Sequence, residues 1–349
     1  MSGPLADHLR RVIRTAGPQT IDRFMAEILM HPTHGYYRRG DRVGADGDFI
    51  TAPEISQMFG ELIGLWLAQM WQGAGAPATV RLVELGPGRG TLMRDALRAM
   101  QIVPGLPEAI DLHLVESNQS FRHAQADLPA TWHDSLQSVP AGPLLVIANE
   151  FFDALPVKQW VRAEHGWLER AVGLSAQDRL CYTGLPAETP PQAACHHPGQ
   201  IVEASPAAQG LAADLADRLA RHGGAALIID YGYEGPAAGD SLQALYRHTK
   251  VCPLTHLGEA DITAHVDFSA LSLATKAARA WGPVGQGAFL SALGIGLRAE
   301  RLTAAAPQRR DEIDQAVHRL THPSAMGTLF KVMALTPPDA AAPPGFADA

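Results

Sequence analysis

VELGPGRGTL, residues 83–92, is the stretch that decides the fold. It continues a short apolar run, residues 79–85, that is typical of a buried strand, and it leads into a helical pattern built on Leu92, Ala96 and Met100. Glycines at such a junction let the backbone turn sharply and let a ligand approach main-chain N–H groups at a helix N-terminus. The stretch therefore predicts a strand, a ligand-binding loop and a helix in succession.

The same rhythm of a short apolar run followed by a helical stretch continues along the chain. Further strands are predicted at residues 111–117, 130–133, 143–149, 225–231 and 328–335. Strands that alternate with helices are typical of a mostly parallel sheet. The chain is therefore predicted to be an α/β protein.

The segments outside these strands set the domain organisation. Residues 1–75 are predicted to form an N-terminal helical arm that also supplies a lid over the ligand. Residues 76–335 form the α/β domain, with an antiparallel β insertion at about 157–222 and further loops and helices at about 232–325. Residues 336–349 are rich in Pro and Ala and are predicted to be disordered.

Composition restricts the partners and the compartment. The 349 residues carry a net charge of −8 and no basic run longer than two residues, which disfavours nucleic acid as a partner. No apolar run approaches the ~20 residues of a membrane helix, so no membrane insertion is expected. The three cysteines are widely spaced and nothing near the start has the pattern of an export signal, so a cytoplasmic location is predicted.

The spacing of the glycines restricts the class of ligand that the loop can bind. A dinucleotide-binding loop reads G-x-G-x-x-G, whereas Gly86, Gly88 and Gly90 follow the pattern E-x-G-x-G-x-G with Glu84 at its head. A carboxylate at that position can accept hydrogen bonds from an amino group or pair with a cation, which a pyrophosphate could not use. S-adenosylmethionine carries an ammonium, a sulfonium and a ribose diol and has no phosphate, so it is the predicted cofactor. A tight structural turn is the alternative.

Acidic residues after the next two strands fit the rest of that cofactor. Glu116 is placed to bridge the ribose hydroxyls, the role that an acid plays at this position in open α/β sheets. Asp134, with Trp132 two residues earlier, is expected to bind the adenine amine and cover the adenine face. The cofactor-binding set is completed by Pro87 and Ser117, which adjoin these residues.

The loop after the strand at 143–149 is the predicted acceptor site. Asn149 is expected to orient an acceptor nitrogen, and carboxylates from Glu150 and Asp153 could grip a guanidinium while Phe151 or Phe152 stacks on it. Methyl transfer is an in-line displacement, so orienting the acceptor lone pair does most of the catalysis. The alternative is that both aromatic rings belong to the core and that Asp153 caps a helix.

Two further segments supply candidates. The segment at residues 47–56 could form a lid over the cofactor through Asp48, Thr51, Glu54 and Ser56, and Thr51 and Pro53 are counted among the cofactor-binding residues. The sequence from Thr51 to Glu54 also fits a capping box. His265 would accept a proton if it reaches the crevice, and a core histidine satisfied by Asp267 is the alternative. The 15 histidines include two closely spaced groups, His31 with His34 and Cys195 with His196 and His197, but neither has a second ligand pair at zinc-site spacing, so no metal is expected.

Five ordered segments together resemble one family. Between about His31 and Val332 the chain is similar to the MidA-like S-adenosylmethionine-dependent methyltransferases, and the segments that carry the resemblance are GDFITAPEISQMFGELIGLW (47–66), VELGPGRGTL (83–92), ANEFFDALPVKQW (148–160), LIIDYGY (227–233) and GEADITAHVDF (258–268). The resemblance implies a class I methyltransferase fold, which is Rossmann-like with a seven-stranded, mostly parallel sheet and added helical and antiparallel β insertions.

The resemblance also implies an activity and a partner. Mitochondrial members of the family act in assembly of respiratory complex I, and one methylates an arginine of its 49 kDa-type subunit. Carried onto this chain, this implies a protein substrate such as a complex I subunit, with Asn149, Glu150, Asp230, His265 and Asp267 on the acceptor side. The paired-glutamate loop of better-known protein arginine methyltransferases is missing, which leaves the acceptor open.

Two other functions compete with the first. One is an assembly factor that binds S-adenosylmethionine and acts mainly by holding a partner, and the other is a nicotinamide-dependent oxidoreductase, which the early third glycine disfavours. The helix predicted at residues 54–71, with Trp66 and Trp71, suits either a core or an interface, so a homodimer is a further expectation.

Overall fold

The computed structural model describes residues 3–38, 51–190, 197–235 and 239–346. Its strands are β1 (Gln19–Thr20), β2 (Val80–Leu85), β3 (Ile110–Val115), β4 (Ala130–His133), β5 (Leu144–Asn149), β6 (Lys158–Arg162), β7 (Trp167–Leu174), β8 (Leu180–Ala187), β9 (Ile201–Ala204), β10 (Gly224–Tyr233), β11 (Gln243–Tyr246), β12 (Thr249–Val251), β13 (Asp261–Thr263), β14 (Val266–Asp267), β15 (Arg279–Gly285) and β16 (Phe330–Thr336).

The helices are α1 (Pro4–Ala16), α2 (Ile21–Met30), α3 (Ala52–Ile55), α4 (Gln57–Gly73), α5 (Thr91–Met100), α6 (Leu106–Ala109), α7 (Gln119–Ala124), α8 (Pro206–His222), α9 (Phe268–Ala274), α10 (Gln286–Ala292), α11 (Ile295–Ala305), α12 (Arg310–Thr321) and α13 (Met326–Leu329). Short 3₁₀ turns lie at Tyr36–Arg38, Leu136–Ser138, Phe152–Ala154 and Pro307–Arg309. In the described part of the chain, no helix is both long and apolar enough to cross a bilayer.

The central sheet has the strand order β15-β16-β10-β5-β2-β3-β4, and the short β14 pairs with β10. The pairings among β4, β3, β2, β5 and β10 are parallel, while β16 is antiparallel to both of its neighbours. The α/β class and the seven-stranded, mostly parallel sheet are therefore confirmed. Each strand predicted for this sheet is present, and its ends differ from the predicted ones by at most two residues.

Register brings the ends of three strands together. In β2, Leu85 pairs with Val115 of β3 and Ala148 of β5. Since the carboxyl ends of parallel strands form one edge of a sheet, the loops that follow β2, β3 and β5 meet there. The fold thus places the glycine loop, Glu116 and Asn149 beside one another.

Helices cover both faces of this sheet. Alternate residues of β2 serve the two sides: Leu82 packs with α4, α5 and α10–α12, while Val83 packs with α8. The helix predicted at residues 54–71 is divided by Ser56, whose extended backbone separates α3 from α4 and whose hydroxyl accepts a hydrogen bond from Met58 N. Trp66 and Trp71 on α4 are buried in the core.

The antiparallel insertion is confirmed, and the N-terminal helices pack against it. β6, β7, β8 and β9 form an antiparallel sheet that β1 extends, and a second small sheet contains β12, β11 and β13. Residues of α1 and α2 share one hydrophobic cluster with side chains of these sheets, including Val172 and Ile262. The predicted arm at residues 1–75 is therefore divided, because α1 and α2 pack with the insertion whereas α4 packs on the central sheet.

The predicted disorder of the C-terminal tail is wrong for its described part. Phe346 is 1% exposed, and its ring centroid lies 5.4 Å from that of Phe289 on α10. Trp66 Nε1 donates a hydrogen bond to the Pro344 carbonyl oxygen at 3.0 Å. Composition predicted that the tail has little to bury, but one aromatic ring near its end is enough to hold it against the core.

Candidate active site

A cavity of about 340 Å³ opens at the carboxyl edge of the central sheet. The loops after β2, β3 and β5 line one side of it, and the segment at residues 51–54 covers another. Of the predicted site residues, the structure brings together Thr51, Pro53, Glu84, Gly86, Pro87, Gly88, Glu116, Ser117, Asp134, Asn149, Glu150 and Asp153.

The glycine loop adopts a backbone that few other residues could take. Gly86, Gly88 and Gly90 have φ values of 65°, 53° and 78°. A Cβ on Gly86 would lie 2.6 Å from the Phe151 side chain, so the loop after β2 is in close contact with the loop after β5. Gly90 is not among the residues that line the cavity; it is the N-cap of α5.

Gln125 holds the glycine loop from behind, a role that the sequence did not reveal. This fully buried side chain donates to the Gly88 carbonyl oxygen at 2.6 Å and accepts from Trp132 Nε1 at 2.7 Å. Trp132 packs against the core and does not line the cavity, so the expectation that it covers the adenine face is wrong. The indole N–H of Trp132 orients the Gln125 amide, and that amide in turn holds the glycine loop.

Glu84 is a buried carboxylate with an unsatisfied oxygen. It is 3% exposed, and Oε2 has no hydrogen-bond partner in the part of the chain that the structure describes. Burial, together with the charge of Glu116, raises the pKa of Glu84 to about 8. A positively charged group that reached this carboxylate would satisfy the free oxygen and favour its ionised form. The site therefore fits the ammonium of an amino-acid ligand.

Glu116 and Asp134, the next two acidic residues that line the cavity, differ in burial and in hydrogen-bond partners. Burial raises the pKa of Glu116 to about 7, and one of its carboxylate oxygens accepts from Asn118 N at 2.7 Å. The Asp134 side chain is 83% exposed and forms an ion pair of 2.6 Å with Arg122. Glu116 thus lines the cavity as a buried carboxylate, and its role toward a ribose diol stays a prediction, whereas Asp134 is already paired with Arg122.

Asn149 and Glu150 begin the acceptor loop. Asn149 Oδ1 is buried and has no partner among the described residues, and the Asn149 Nδ2 donates to Glu150 Oε1 at 3.3 Å. The same Glu150 oxygen also accepts from Ala52 N at 3.1 Å. Glu150 has φ +50°, an unusual conformation for a residue with a side chain and one that often marks functional sites. Burial raises the pKa of Glu150 to about 7.

Asp153 is oriented by Tyr231 and does not cap a helix. The Tyr231 hydroxyl donates to Asp153 Oδ2 at 2.5 Å, while Oδ1 is buried and finds no partner within the described ranges. Burial raises the pKa of Asp153 to about 6. One oxygen of Asp153 is therefore fixed and the other is available to a ligand.

Asp230 holds the acceptor loop to the sheet. Its Oδ2 accepts from the backbone N–H groups of Phe152 and Asp153 at 2.9 and 3.1 Å, and its Oδ1 accepts from Tyr231 N at 2.9 Å. Asp230 is fully buried and does not line the cavity, so the structure gives it a positioning role, whereas the resemblance had placed it on the acceptor side. The tyrosine that follows it, Tyr231, was missed by sequence reasoning although both stand in the LIIDYGY segment.

The segment at residues 51–56 does not form the capping box that was the alternative reading. The Thr51 side chain makes no cap hydrogen bond, and Glu54 accepts from the Thr91 hydroxyl at 2.7 Å. Through Glu54 and the Ala52 N–H, α3 bridges the start of α5 and the acceptor loop. The predicted lid residue Asp48 lies outside the described residues.

His265 does not reach the central cavity. It borders a separate small pocket behind the acceptor loop, and its ring centroid lies 5.4 Å from that of Tyr231. Asp267 accepts from Ala270 N and caps α9. The prediction that His265 acts in the crevice is therefore wrong for this geometry, because Tyr231 occupies the intervening place.

A group of possible metal ligands lies elsewhere. His8, Glu27 and His31 bring one ligand atom each to within 4.8 Å of one another. His8 Nε2 lies 2.5 Å from Glu27 Oε1, and Arg11 lies 3.0 Å from the other ring nitrogen. Hydrogen bonds account for this cluster, and no metal site is inferred from it.

Comparisons with known proteins agree with this geometry. Residues 62–286 match a family model described as "Putative S-adenosyl-L-methionine-dependent methyltransferase". The rat "Protein arginine methyltransferase NDUFAF7, mitochondrial" is 37% identical over 96% of this chain and 84% of its own length, and the human protein of that name is 36% identical over 96% and 83%. A solved Burkholderia thailandensis structure bound to S-adenosyl-homocysteine is 29% identical, with a TM-score of 0.87 over 100% of this chain and 98% of its own.

The comparisons correct one prediction and confirm another. The relatives are named mitochondrial, which contradicts the predicted cytoplasmic location. That prediction failed because widely spaced cysteines and a start without an export pattern do not distinguish the cytosol from other compartments. The predicted cofactor is confirmed, and the buried free oxygen of Glu84 and the glycine cradle fit it. The chain belongs to the family of S-adenosylmethionine-dependent methyltransferases.

Proposed function

We propose that the protein transfers a methyl group from S-adenosylmethionine to an arginine of a protein substrate. The observation that carries the proposal is the pair of carboxylates, Glu150 and Asp153, that face the cavity beside the glycine loop. Among the described residues, neither forms an ion pair with an arginine, lysine or histidine, and Asp153 Oδ1 has no partner at all. A cavity lined in this way suits a guanidinium, which needs several acceptors at once.

The cofactor side supports the same proposal. Glu84 is proposed to bind the ammonium, Glu116 the ribose hydroxyls, and the glycine loop to approach the cofactor through its backbone N–H groups. When bound, S-adenosylmethionine supplies an electrophilic methyl carbon. The contact between Gly86 and the Phe151 ring places the acceptor loop directly beside the cofactor loop, which keeps the donor and acceptor close.

The two carboxylates are proposed to orient the acceptor and receive its proton. The guanidinium nitrogen forms a bond to the methyl carbon, the bond from that carbon to sulfur breaks, and one N–H proton passes to a carboxylate. Carboxyl groups with pKa values of about 7 for Glu150 and about 6 for Asp153 hold such a proton more readily than exposed acids do. Asn149 Oδ1, which is buried and has no partner in the described part of the chain, supplies a further acceptor for N–H.

The protein acceptor is proposed to be a subunit of respiratory complex I. Support comes from the MidA-like resemblance over five segments and from relatives named protein arginine methyltransferase NDUFAF7. A homodimer stays a prediction.

The test is transfer of a labelled methyl group from S-adenosylmethionine to complex I subunits and to arginine peptides with matched lysine peptides. We expect transfer to arginine only, and we expect Glu150→Gln and Asp153→Asn each to lower kcat/KM by at least about 100-fold, the order for loss of a charged group acting in the transition state. Glu300→Gln, at an exposed site on α11, is the matched control.

Binding of S-adenosyl-homocysteine to the same variants separates a lost acceptor site from a lost fold. Unchanged cofactor affinity with lost transfer supports the proposed roles. Undiminished transfer by both carboxylate variants, or transfer to lysine in place of arginine, would contradict the proposal.

A further inference from the structure

The far side of the central cavity has an apolar and aromatic lining that the cofactor-binding loops do not supply. It is formed by Ala26, Leu29, Met30, Tyr36 and Tyr37, and we call these residues the N-terminal wall. They belong to α2 and to the 3₁₀ turn that follows it. The family model begins only at residue 62, so the N-terminal wall lies outside the part of the chain that it matches.

The N-terminal wall is firmly built. Leu29 and Tyr36 are 1% and 2% exposed, and both belong to the hydrophobic cluster that joins α1 and α2 to the inserted sheets. At Gly35 a Cβ would lie 2.6 Å from both His31 N and the Leu29 carbonyl oxygen, so the chain can turn back tightly on α2 only with glycine at this position. The turn sets the Tyr36 and Tyr37 rings edge to face, 5.2 Å apart.

This wall stands next to the acceptor carboxylates. The Tyr37 hydroxyl lies 3.4 Å from Asp261 Oδ1, and β13, which begins at Asp261, leads to Ala264, whose N–H donates to the Asp153 carbonyl oxygen at 3.0 Å. Asp153 and Asp261 both contribute to raising the pKa of Tyr37, after burial, which agrees with their proximity. Met30, at 43%, is the most exposed residue of the wall.

Among the residues that line the cavity, exposure falls from 43% at Met30 to 1%, 2% and 6% at Leu29, Tyr36 and Asp153. A ligand that enters beside Met30 and reaches Asp153 would match this lining with an apolar stem and a planar cation at its tip. Burial of methylene groups against apolar side chains is favourable, and the faces of aromatic rings attract a cation.

We propose that the N-terminal wall is the subsite for the aliphatic stem of the acceptor arginine, with the main chain of the substrate at Met30. This inference rests on the proposed function, because it takes the guanidinium to lie at Glu150 and Asp153. It assigns acceptor recognition to α2 and the turn after it, while the glycine loop and the acceptor loop serve the cofactor and the chemistry.

The experiment measures binding of guanidinium, ethylguanidine, propylguanidine and butylguanidine to the full chain saturated with S-adenosyl-homocysteine. Each methylene that the wall covers fully should tighten binding about fourfold. Met30→Ala should reduce the gain for the outermost methylenes and leave guanidinium itself unchanged, and Leu29→Ala should reduce the gain for the inner ones. Leu297→Ala, which truncates an apolar side chain that is 67% exposed on α11, is the matched control.

The outcomes distinguish this inference from the proposed function. One outcome is that guanidinium binds, that Asp153→Asn abolishes this binding, and that affinity does not change along the alkyl series. This outcome would overturn the stem subsite and leave the proposed role of the acceptor carboxylates intact. Failure of every guanidine to bind, or equal binding of butylamine, would overturn the proposed function and the stem subsite with it. Because Leu29 is buried, a misfolded Leu29→Ala protein is recognised by lost S-adenosyl-homocysteine binding, and Met30→Ala then decides the stem subsite.

Discussion

Glu84 makes cofactor affinity depend on pH in a way that its burial predicts. The carboxyl has a pKa of about 8 without ligand, and pairing with the ligand ammonium requires its ionised form. Between pH 6 and pH 7.5 the ionised fraction rises from about 1% to about a quarter, so affinity should tighten about 25-fold, or about 1.9 kcal/mol. The α-amino group of the ligand stays mostly charged over this range.

The stability of the ligand-free protein should change in the opposite direction. A carboxyl whose pKa is raised on folding binds its proton more tightly in the folded chain, so its contribution is fully present below the unfolded pKa of 4.5. That contribution is lost as pH rises toward about 8, at up to ~1.4 kcal/mol per pH unit. Rising pH should therefore weaken the free protein while it strengthens cofactor binding.

Calorimetric titration with S-adenosyl-homocysteine at pH 6, 6.5, 7 and 7.5 measures the first effect, and thermal unfolding at the same values measures the second. Glu84→Gln should remove the Glu84 contribution to both slopes, leaving at most the roughly eightfold part that Glu116, with a pKa of about 7, can add. A wild-type affinity that changes less than about threefold, or a 25-fold change that persists in Glu84→Gln, would refute the reasoning.

Three further predictions follow from contacts in and near the site. Gly86→Ala places a methyl group at φ 65° and 2.6 Å from an aromatic ring, so it should abolish S-adenosyl-homocysteine binding and lower the free energy of unfolding, measured by chemical denaturation, by ~1–3 kcal/mol. The control is Gly73→Ala, whose methyl group meets no described atom within 4 Å and which should have neither effect. Tyr231→Phe removes the hydrogen bond that favours ionised Asp153, so the acidic limb of the kcat profile should move to higher pH with little change in cofactor affinity; an unmoved limb contradicts this. Phe346→Ala should destabilise the fold by ~3–5 kcal/mol, and an unchanged melting temperature would show that the tail does not contribute.

The sheet and the cofactor loop could be predicted because both follow from local rules. Strand periodicity and helix spacing depend on neighbours within a few residues, and the pattern from Glu84 to Gly90 records a backbone requirement directly in the sequence. Parallel topology then places the ends of β2, β3 and β5 together without further information. The positions of Glu84, Glu116 and Asn149 at one cavity follow from this alone.

The parts that could not be predicted depend on contacts between distant segments. Gln125 meets Gly88 from 37 positions away, and nothing in α7, which ends just before Gln125, marks it. Tyr231 was missed and His265 misplaced for the same reason, since only the packing of β10 against the acceptor loop decides which of the two faces the cavity. The buried tail shows a different limit, because average composition conceals one well-placed ring at Phe346.

The four-residue helix α3 gives the two halves of the site a common support. Its first N–H is bonded to Glu150 and its Glu54 carboxylate to the Thr91 hydroxyl at the start of α5. If a ligand on one side shifts α3 and so changes the affinity of the other side, the second ligand must change the affinity for the first by the same factor, since coupling between two binding equilibria is reciprocal. Cofactor and acceptor would then be linked ligands, and α3, which also lines the cavity with Pro53 and Glu54, would carry the coupling.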